Sequence, residues 1–333
     1  MKIWLWPYSL ASRGVSRLKD RLYRSGVFGT KRAGLKVISV GNISLGGTGK
    51  TPLALEVIKL LRSEGVRTAL VTRGYKGRWE KQGGILTDGE KFYGRWEDSG
   101  DEPFMIARNV PGAGVFVGRN RLRSCRLAKV KGFAAAVLDD GFQRRRLARD
   151  LDIVLFDPHD RILREPVASL ARAQAILLPE AEAPRHREAL GRRFPGSRLY
   201  SYSVVPKGFF KPGIRHDSPA PNLSETRVLA FCGLARPRNF FGLLREQGLE
   251  LAATIALPDH HPYPPSTLER ILKKYRSLDV RAAVTTEKDA VKLAGRREFL
   301  KEIPVYYLKI GVQVESAFFD QVRRAILKPE RRR

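Results

Sequence analysis

The sequence predicts an α/β fold: a parallel sheet with helices on both faces, followed by a smaller second α/β domain. Three observations carry this. Short apolar runs alternate with helix-length runs, as strands joined by crossover helices would. A chain of 333 residues with 43% hydrophobic content is long enough for about two cores. A polar, proline-bearing stretch over residues 206–225 then breaks the alternation before a second set begins. The expected division is an amphipathic segment at 1–25, a main domain at 26–205, a linker at 206–225 and a smaller domain at 226–333.

In order, the strand candidates of the main domain are Leu35–Val40, Arg67–Thr72, Gly114–Val117, Phe133–Asp139, Leu151–Phe156 and Gln174–Leu178. Between them, Pro52–Ser63 reads as a helix with Gly65 placed to cap its end, and Asn120–Val130 as another. Past the linker come strands Thr226–Cys232, Glu250–Ala256, Arg281–Thr286 and Val305–Ile310. Helices are expected near Asn239–Gln247, Ser266–Tyr275 and Glu315–Leu327.

The stretch Gly41-Asn-Ile-Ser-Leu-Gly-Gly-Thr-Gly-Lys-Thr-Pro52 joins the first strand to the first helix. In the pattern G-x-x-x-x-G-K-[ST], Gly49, Lys50 and Thr51 fit, with Ser44 at the first position. Gly46 and Gly47 let the backbone approach an anion, and the N–H groups around Thr48 and Gly49 would hold phosphate oxygens at the positive end of the helix. Lys50 would reach the outer phosphates and Thr51 would offer a hydroxyl to magnesium. A nucleoside triphosphate is the expected ligand. Phe133–Leu138 ends in Asp139-Asp140-Gly141, two carboxylates at a strand's C-terminal edge, where a triphosphate's magnesium is held. An Asp-Gly turn is the plainer alternative.

Transfer to an alcohol needs a base near the hydroxyl, and a His oriented by a carboxylate supplies one. Of five histidines, two stand together in Pro258-Asp-His-His-Pro-Tyr263, and a second acidic pair, Asp101-Glu102, lies earlier. His260 with Asp101 is the expected pair.

Charge and the N-terminus bear on partners. Sixty-two Lys and Arg against 34 Asp and Glu give a net +28, which calls for an anionic partner: nucleic acid, lipid or a phosphorylated substrate. The apolar start, Ile3 to Ala11, is far shorter than the roughly 20 residues of a spanning helix. Val15, Leu18 and Leu22 then recur at helical spacing, with Arg13, Arg17, Arg21 and Arg24 on another face, which suits either a membrane interface or packing on the chain's own domain. Cys125 and Cys232 are the two cysteines, so no disulfide framework is expected. Arg144-Arg-Arg146 with Arg149 reads either as an anion-docking surface or as a solvated basic face. A polynucleotide-stimulated ATPase is the alternative function, but no aromatic stripe interleaved with basic residues is present to stack bases, and nucleic acid is not an expected partner. Thr286-Glu-Lys-Asp289 lacks the Asn-Lys-x-Asp spacing of guanine recognition.

The phosphate loop, Thr72-Arg-Gly-Tyr75, Gly100-Asp-Glu-Pro103, Asp139-Asp-Gly-Phe-Gln143, Arg164-Glu-Pro166, Phe231-Cys-Gly-Leu-Ala-Arg-Pro237, Pro258-Asp-His260 and Thr286-Glu-Lys-Asp289 together resemble the tetraacyldisaccharide 4'-kinase family. The resemblance implies a P-loop kinase-like domain joined by a short two-stranded linker to a smaller α/β domain. It implies transfer of the ATP γ-phosphate to the 4'-hydroxyl of tetraacyldisaccharide 1-phosphate in lipid A biosynthesis, at the cytoplasmic face of the inner membrane, with ATP and Mg2+ as cofactors. A monomer on an anionic membrane surface is expected. The resemblance further assigns Asp101 and His260 to a base dyad and Asp139 and Asp140 to the metal, with Glu165 a possible third carboxylate. Tyr75, Glu102 and Gln143 fall at substrate-binding positions that also lie near the metal, and Arg121, with Arg119 as its rival, at a substrate-binding contact to an anionic group. Closure between domains is expected to bring His260 toward Asp101. Relatives commonly have His where this chain has Arg144.

Overall fold

The computed structural model describes residues 21–23, 25, 27–44, 49–160, 162–213 and 217–327. The amphipathic segment expected over 1–25 lies almost wholly outside the described residues, as do Gly46, Gly47 and Thr48.

The chain forms two compact units, one of residues 1–99, 106–204 and 312–333 and the other of residues 100–105 and 205–311. In the first, strands β1 (Lys36–Asn42), β2 (Thr68–Thr72), β3 (Gly84–Thr87), β4 (Gly114–Val117), β5 (Ala135–Asp139), β6 (Leu151–Leu155), β7 (Ala175–Pro179) and the start of β8 (Arg198–Lys211) lie in the order β8-β7-β6-β1-β5-β2-β4-β3. Neighbours are parallel except β3, which runs antiparallel to β4. The central strands are apolar and buried along their length, so helices must cover both faces. One such helix, Lys50–Ser63, buries Leu53, Ala54, Val57, Ile58 and Leu61 along a single stripe. Each large side chain on that stripe contributes about 2 kcal/mol of burial. The helix ends as the sequence predicts: Gly65 takes φ 75°, and Val66 N–H donates back to Leu61 O at 2.9 Å.

Register, more than strand count, positions the site. Val40 pairs with Asp139 and Asn42 with Leu155, so the C-terminal ends of β1, β5 and β6 lie together. Their loops emerge on one edge of the sheet, the edge where ligands bind in open α/β folds.

In the second unit, β10 (Arg227–Cys232), β11 (Glu250–Ala256), β12 (Ala282–Thr286) and β13 (Val305–Val314) form a parallel set in the order β11-β10-β12-β13. The two-residue β9 (Ser218–Pro219) pairs antiparallel with the end of β8. Helices Pro237–Glu246 and Pro265–Arg276 open with a first-turn proline. Phe240, Phe241 and Leu244 of the former pack with Val228 and Ala230 of β10, and Ile271 of the latter packs with Leu229 and Phe231.

Several boundaries differ from the sequence expectation. The stretch expected as a linker holds the end of β8 and all of β9, which pair antiparallel as a two-stranded linker would, although β8 already begins at Arg198 in the first unit. Helix Ser316–Leu327 belongs to the first unit: Phe318 meets Tyr200 edge-on at 5.6 Å, and Arg323 pairs with Glu64 at 2.7 Å. An apolar stripe shows that a helix is covered but not by what. Residues 100–105, at the start of helix Asp101–Asn109, group with the second unit.

Candidate active site

Two clusters of functional side chains form, each within one unit. In the first unit, Asn42 at the end of β1 leads through Ile43 and Ser44 toward Gly49, which caps helix Lys50–Ser63 in the left-handed region at φ 81°. A side chain on Gly41 could not be placed, since its Cβ would stand 2.6 Å from Phe142 Cβ. The loop after β5 therefore lies directly on the start of the phosphate loop. Gln143 Nε2 donates to Asn42 O at 2.7 Å, so Gln143 braces the two loops.

Asp139 closes β5 and is buried, while Asp140 follows at φ 55°, a backbone conformation that costs about 1 kcal/mol or more in a non-glycine residue. The turn sends the Asp140 carboxylate to Arg164 Nη1, which bonds both its oxygens at 2.9 and 3.2 Å, and to Lys50 Nζ at 3.8 Å. Partial burial alone would raise the Asp140 carboxyl, but Lys50 and Arg164 outweigh it and hold it below the ordinary carboxylate value. Thr51 stands in the first helical turn, beside Lys50.

Arg121, at the start of helix Arg121–Val130, turns inward and is buried, with Nη1 donating to Gly118 O at 2.5 Å. Its Nε is buried with no hydrogen-bond partner among the described residues. Burial, with Arg144 and Arg73 nearby, lowers its pKa to about 10 against the pull of Asp139 and Asp140. Arg121 thus acts on both carboxylates and Arg144 on Asp140, with Arg73 near both arginines, so Arg144 is part of the site's field where sequence left it open. Tyr75 is about half exposed, with the Arg73 guanidinium 5.6 Å from its ring centroid. Glu165, the expected third carboxylate, stands among arginines. It is buried and accepts from Arg145 Nη2 at 3.2 Å and from Arg172, so both its oxygens face guanidinium groups.

The second cluster contains the dyad. Asp101 is buried, and its Oδ1 lies 2.8 Å from His260 Nδ1 and accepts from Glu102 N–H at 2.9 Å. No closure is needed to join the pair, because both residues belong to one unit. His260 sits at φ 59° and Tyr263 at φ 54° in the loop after β11, a strained turn that aims the imidazole at Asp101. Gly233 fits beneath this loop: a Cβ there would stand 3.2 Å from Pro258 O and 3.3 Å from His261 N. A carboxylate only accepts, so the shared proton resides on Nδ1 and Nε2 is left as the basic nitrogen. Near Nε2, Asp259 Oδ2 lies at 3.8 Å, and Asp259 is in turn held by Lys288 at 2.7 Å. Burial would raise the Asp101 carboxyl, but the His260 hydrogen bond and the Lys292 charge overcome this and hold it at about 2.

Sequence reasoning did not assign Lys288, Asp289 or Lys292. The available signal was Thr286-Glu-Lys-Asp289, a capped helix start: Thr286 Oγ1 accepts from Asp289 N–H at 3.1 Å.

A parallel sheet with a phosphate loop after β1, paired carboxylates after β5, and a carboxylate-oriented histidine defines a nucleotide-dependent phosphotransferase acting on a hydroxyl. Residues 1–327 match the family described as tetraacyldisaccharide-1-P 4'-kinase. The chain is 36% identical to the tetraacyldisaccharide 4'-kinase of Pelobacter propionicus over 339 residues, covering 97% of this chain and 92% of that one. It is 34% identical to the enzyme of the same name from Desulfotalea psychrophila, covering 95% and 94%. Among solved structures, LpxK from Aquifex aeolicus in complex with ATP aligns with a TM-score of 0.77 at 27% identity, over 97% of this chain and 98% of that one. The chain belongs to the tetraacyldisaccharide 4'-kinase family.

Proposed function

We propose that this protein transfers the γ-phosphate of ATP to the 4'-hydroxyl of tetraacyldisaccharide 1-phosphate, in lipid A biosynthesis. The observation that carries the reading is the coexistence of a phosphate loop facing Asp140 through Lys50 and a buried Asp101–His260 pair with its basic nitrogen on the far side of the ring. The first binds a triphosphate and the second activates an alcohol.

In this reading His260 Nε2 takes the acceptor hydroxyl's proton as its oxygen attacks the γ-phosphorus, and the bond from that phosphorus to the bridging oxygen of ADP breaks. Asp101 holds the ring and offsets the charge of the imidazolium formed. Lys50 faces the negative charge on the transferring group. Arg121, with a buried nitrogen to spare, and its neighbours Arg73 and Arg144 suit an anionic group of either substrate. Tyr75 and Glu102 complete the acceptor side.

The residues present fit magnesium. Asp139, Asp140 and the Thr51 hydroxyl are hard oxygen donors, and a magnesium shared with a triphosphate needs only one or two carboxylates from the protein. Bound there, it would offset charge on the phosphate oxygens. Glu165, engaged by two arginines, is left out of this donor set.

Among the described residues no helix is long and apolar enough to cross a membrane. With +28 net charge and the amphipathic pattern before residue 25, peripheral attachment to an anionic inner-membrane surface completes the proposal. Mass analysis of the lipid after incubation with ATP and magnesium tests the reaction: one added phosphate ester at the 4' position is expected. ATP consumed with the lipid unchanged would overturn it. Sedimentation with anionic but not neutral vesicles, lost at high salt, tests the attachment; equal recovery with both would contradict it.

A further inference from the structure

We propose that Lys292 is a positioning residue of this site: its ammonium, buried between Asp101 and Asp289, fixes the Asp101 carboxylate so that His260 presents Nε2 to the acceptor hydroxyl. The inference rests on the role given to the Asp101–His260 pair above.

The geometry forms one chain of contacts. Lys292 Nζ lies 3.1 Å from Asp101 Oδ2 and 2.9 Å from Asp289 Oδ1, with its side chain 1% exposed. Asp289 is itself immobilised, because its Oδ2 accepts from Gly233 N–H at 2.9 Å and from Thr286 Oγ1 at 2.7 Å. Asp101 is therefore held at both oxygens: Oδ1 by His260 and Glu102 N–H, Oδ2 by Lys292. Without the ammonium, the carboxylate could turn about its Cβ–Cγ bond and carry the imidazole with it. Stability alone does not call for this arrangement, since apolar side chains of similar volume commonly replace buried ion clusters at no loss.

Lys292 also sets the charge around His260. From its own loop the imidazole faces Asp259, and Lys288 bonds that carboxylate. From the other side it faces Asp101, behind which stand Lys292 and Asp289, with Glu102 acting on Lys288. In the same loop His261 and Tyr263 pack edge-on against each other. Removing the Lys292 charge leaves these carboxylates in excess and favours the protonated imidazole, which cannot act as the base.

Lys292→Met alone would leave Asp289 buried without its cation, so the test pairs it with Asp289→Asn and runs Lys292→Gln in parallel. For variants whose melting shows a folded chain, the expected result is a kcat about 10- to 100-fold lower, with KM for ATP unchanged. The acid limb of the kcat–pH profile should move up in Lys292→Gln, which removes the cation alone, and move less in the double variant, which removes one charge of each sign. Wild-type kcat in either folded variant, or an unmoved acid limb in Lys292→Gln, overturns the proposal. Nitrogen-15 NMR of His260 in the wild-type protein tests it independently of variant folding and of turnover. A neutral ring protonated at Nδ1 is expected; a ring protonated at Nε2 would refute the positioning. If wild-type protein shows the expected tautomer yet never phosphorylates the lipid, the functional reading fails and the positioning geometry stands.

Discussion

Gln143 Nε2 donates to Asn42 O at 2.7 Å, tying the loop that follows the paired carboxylates to the strand end that feeds the phosphate loop. The bond joins two motifs about a hundred residues apart, so neither is set in place alone. Gln143→Ala removes this bond and should destabilise the chain by about 1 kcal/mol. It should also raise KM for ATP. Urea unfolding beside steady-state kinetics checks this, and a raised KM for the lipid with unchanged stability would instead make Gln143 a direct substrate contact.

Arg164 grips both oxygens of Asp140, which Lys50 approaches at 3.8 Å. Arg164→Ala frees a carboxylate whose place in the site depends on that grip. A hydrogen bond to a charged group contributes about 1.5–3 kcal/mol, so kcat should fall about 10- to 100-fold, with a weaker dependence on magnesium concentration. Magnesium titrations of kcat in both proteins measure it; identical curves would remove Arg164 from the site.

Asp101 makes a stability prediction with a definite sign. Its carboxyl sits near 3.8 when unperturbed and at about 2 in the folded protein, so the native state favours the ionised form. The resulting stabilisation, about 2 kcal/mol for a shift of this size, is fully present above the unfolded value and is lost as pH falls through the folded one. The stability difference between wild type and Asp101→Asn should therefore shrink as pH falls from about 4 to 2. Urea midpoints across that range test this, and a difference constant down to pH 2 would contradict it.

The sequence showed the parts that local chemistry dictates. Leu35–Val40 and Phe133–Asp139 read as strands because unbroken apolar runs must be buried on both faces, and they became β1 and β5. Asp101 and His260 were legible as a pair because phosphoryl transfer to an alcohol needs a base. Lys292 was not legible, since a lysine beside a leucine on a short helix looks like any solvated cation until the fold buries it. Glu165 shows the converse: its position in Arg164-Glu-Pro166 suggested a metal carboxylate, and only the fold shows Arg145 and Arg172 closing on it. The last helix was visible from its apolar stripe, but its partner, Tyr200 on β8, was set by tertiary packing.

The most direct test follows labelled γ-phosphate from ATP into tetraacyldisaccharide 1-phosphate in mixed detergent micelles, for wild type, Lys50→Ala and His260→Ala. Label in the 4'-phosphorylated lipid with wild type, a loss of about 100-fold or more in kcat with either variant, and native folding of both are the predicted result. Label that never enters the lipid, or enters it at the wild-type rate with both variants, would contradict the account.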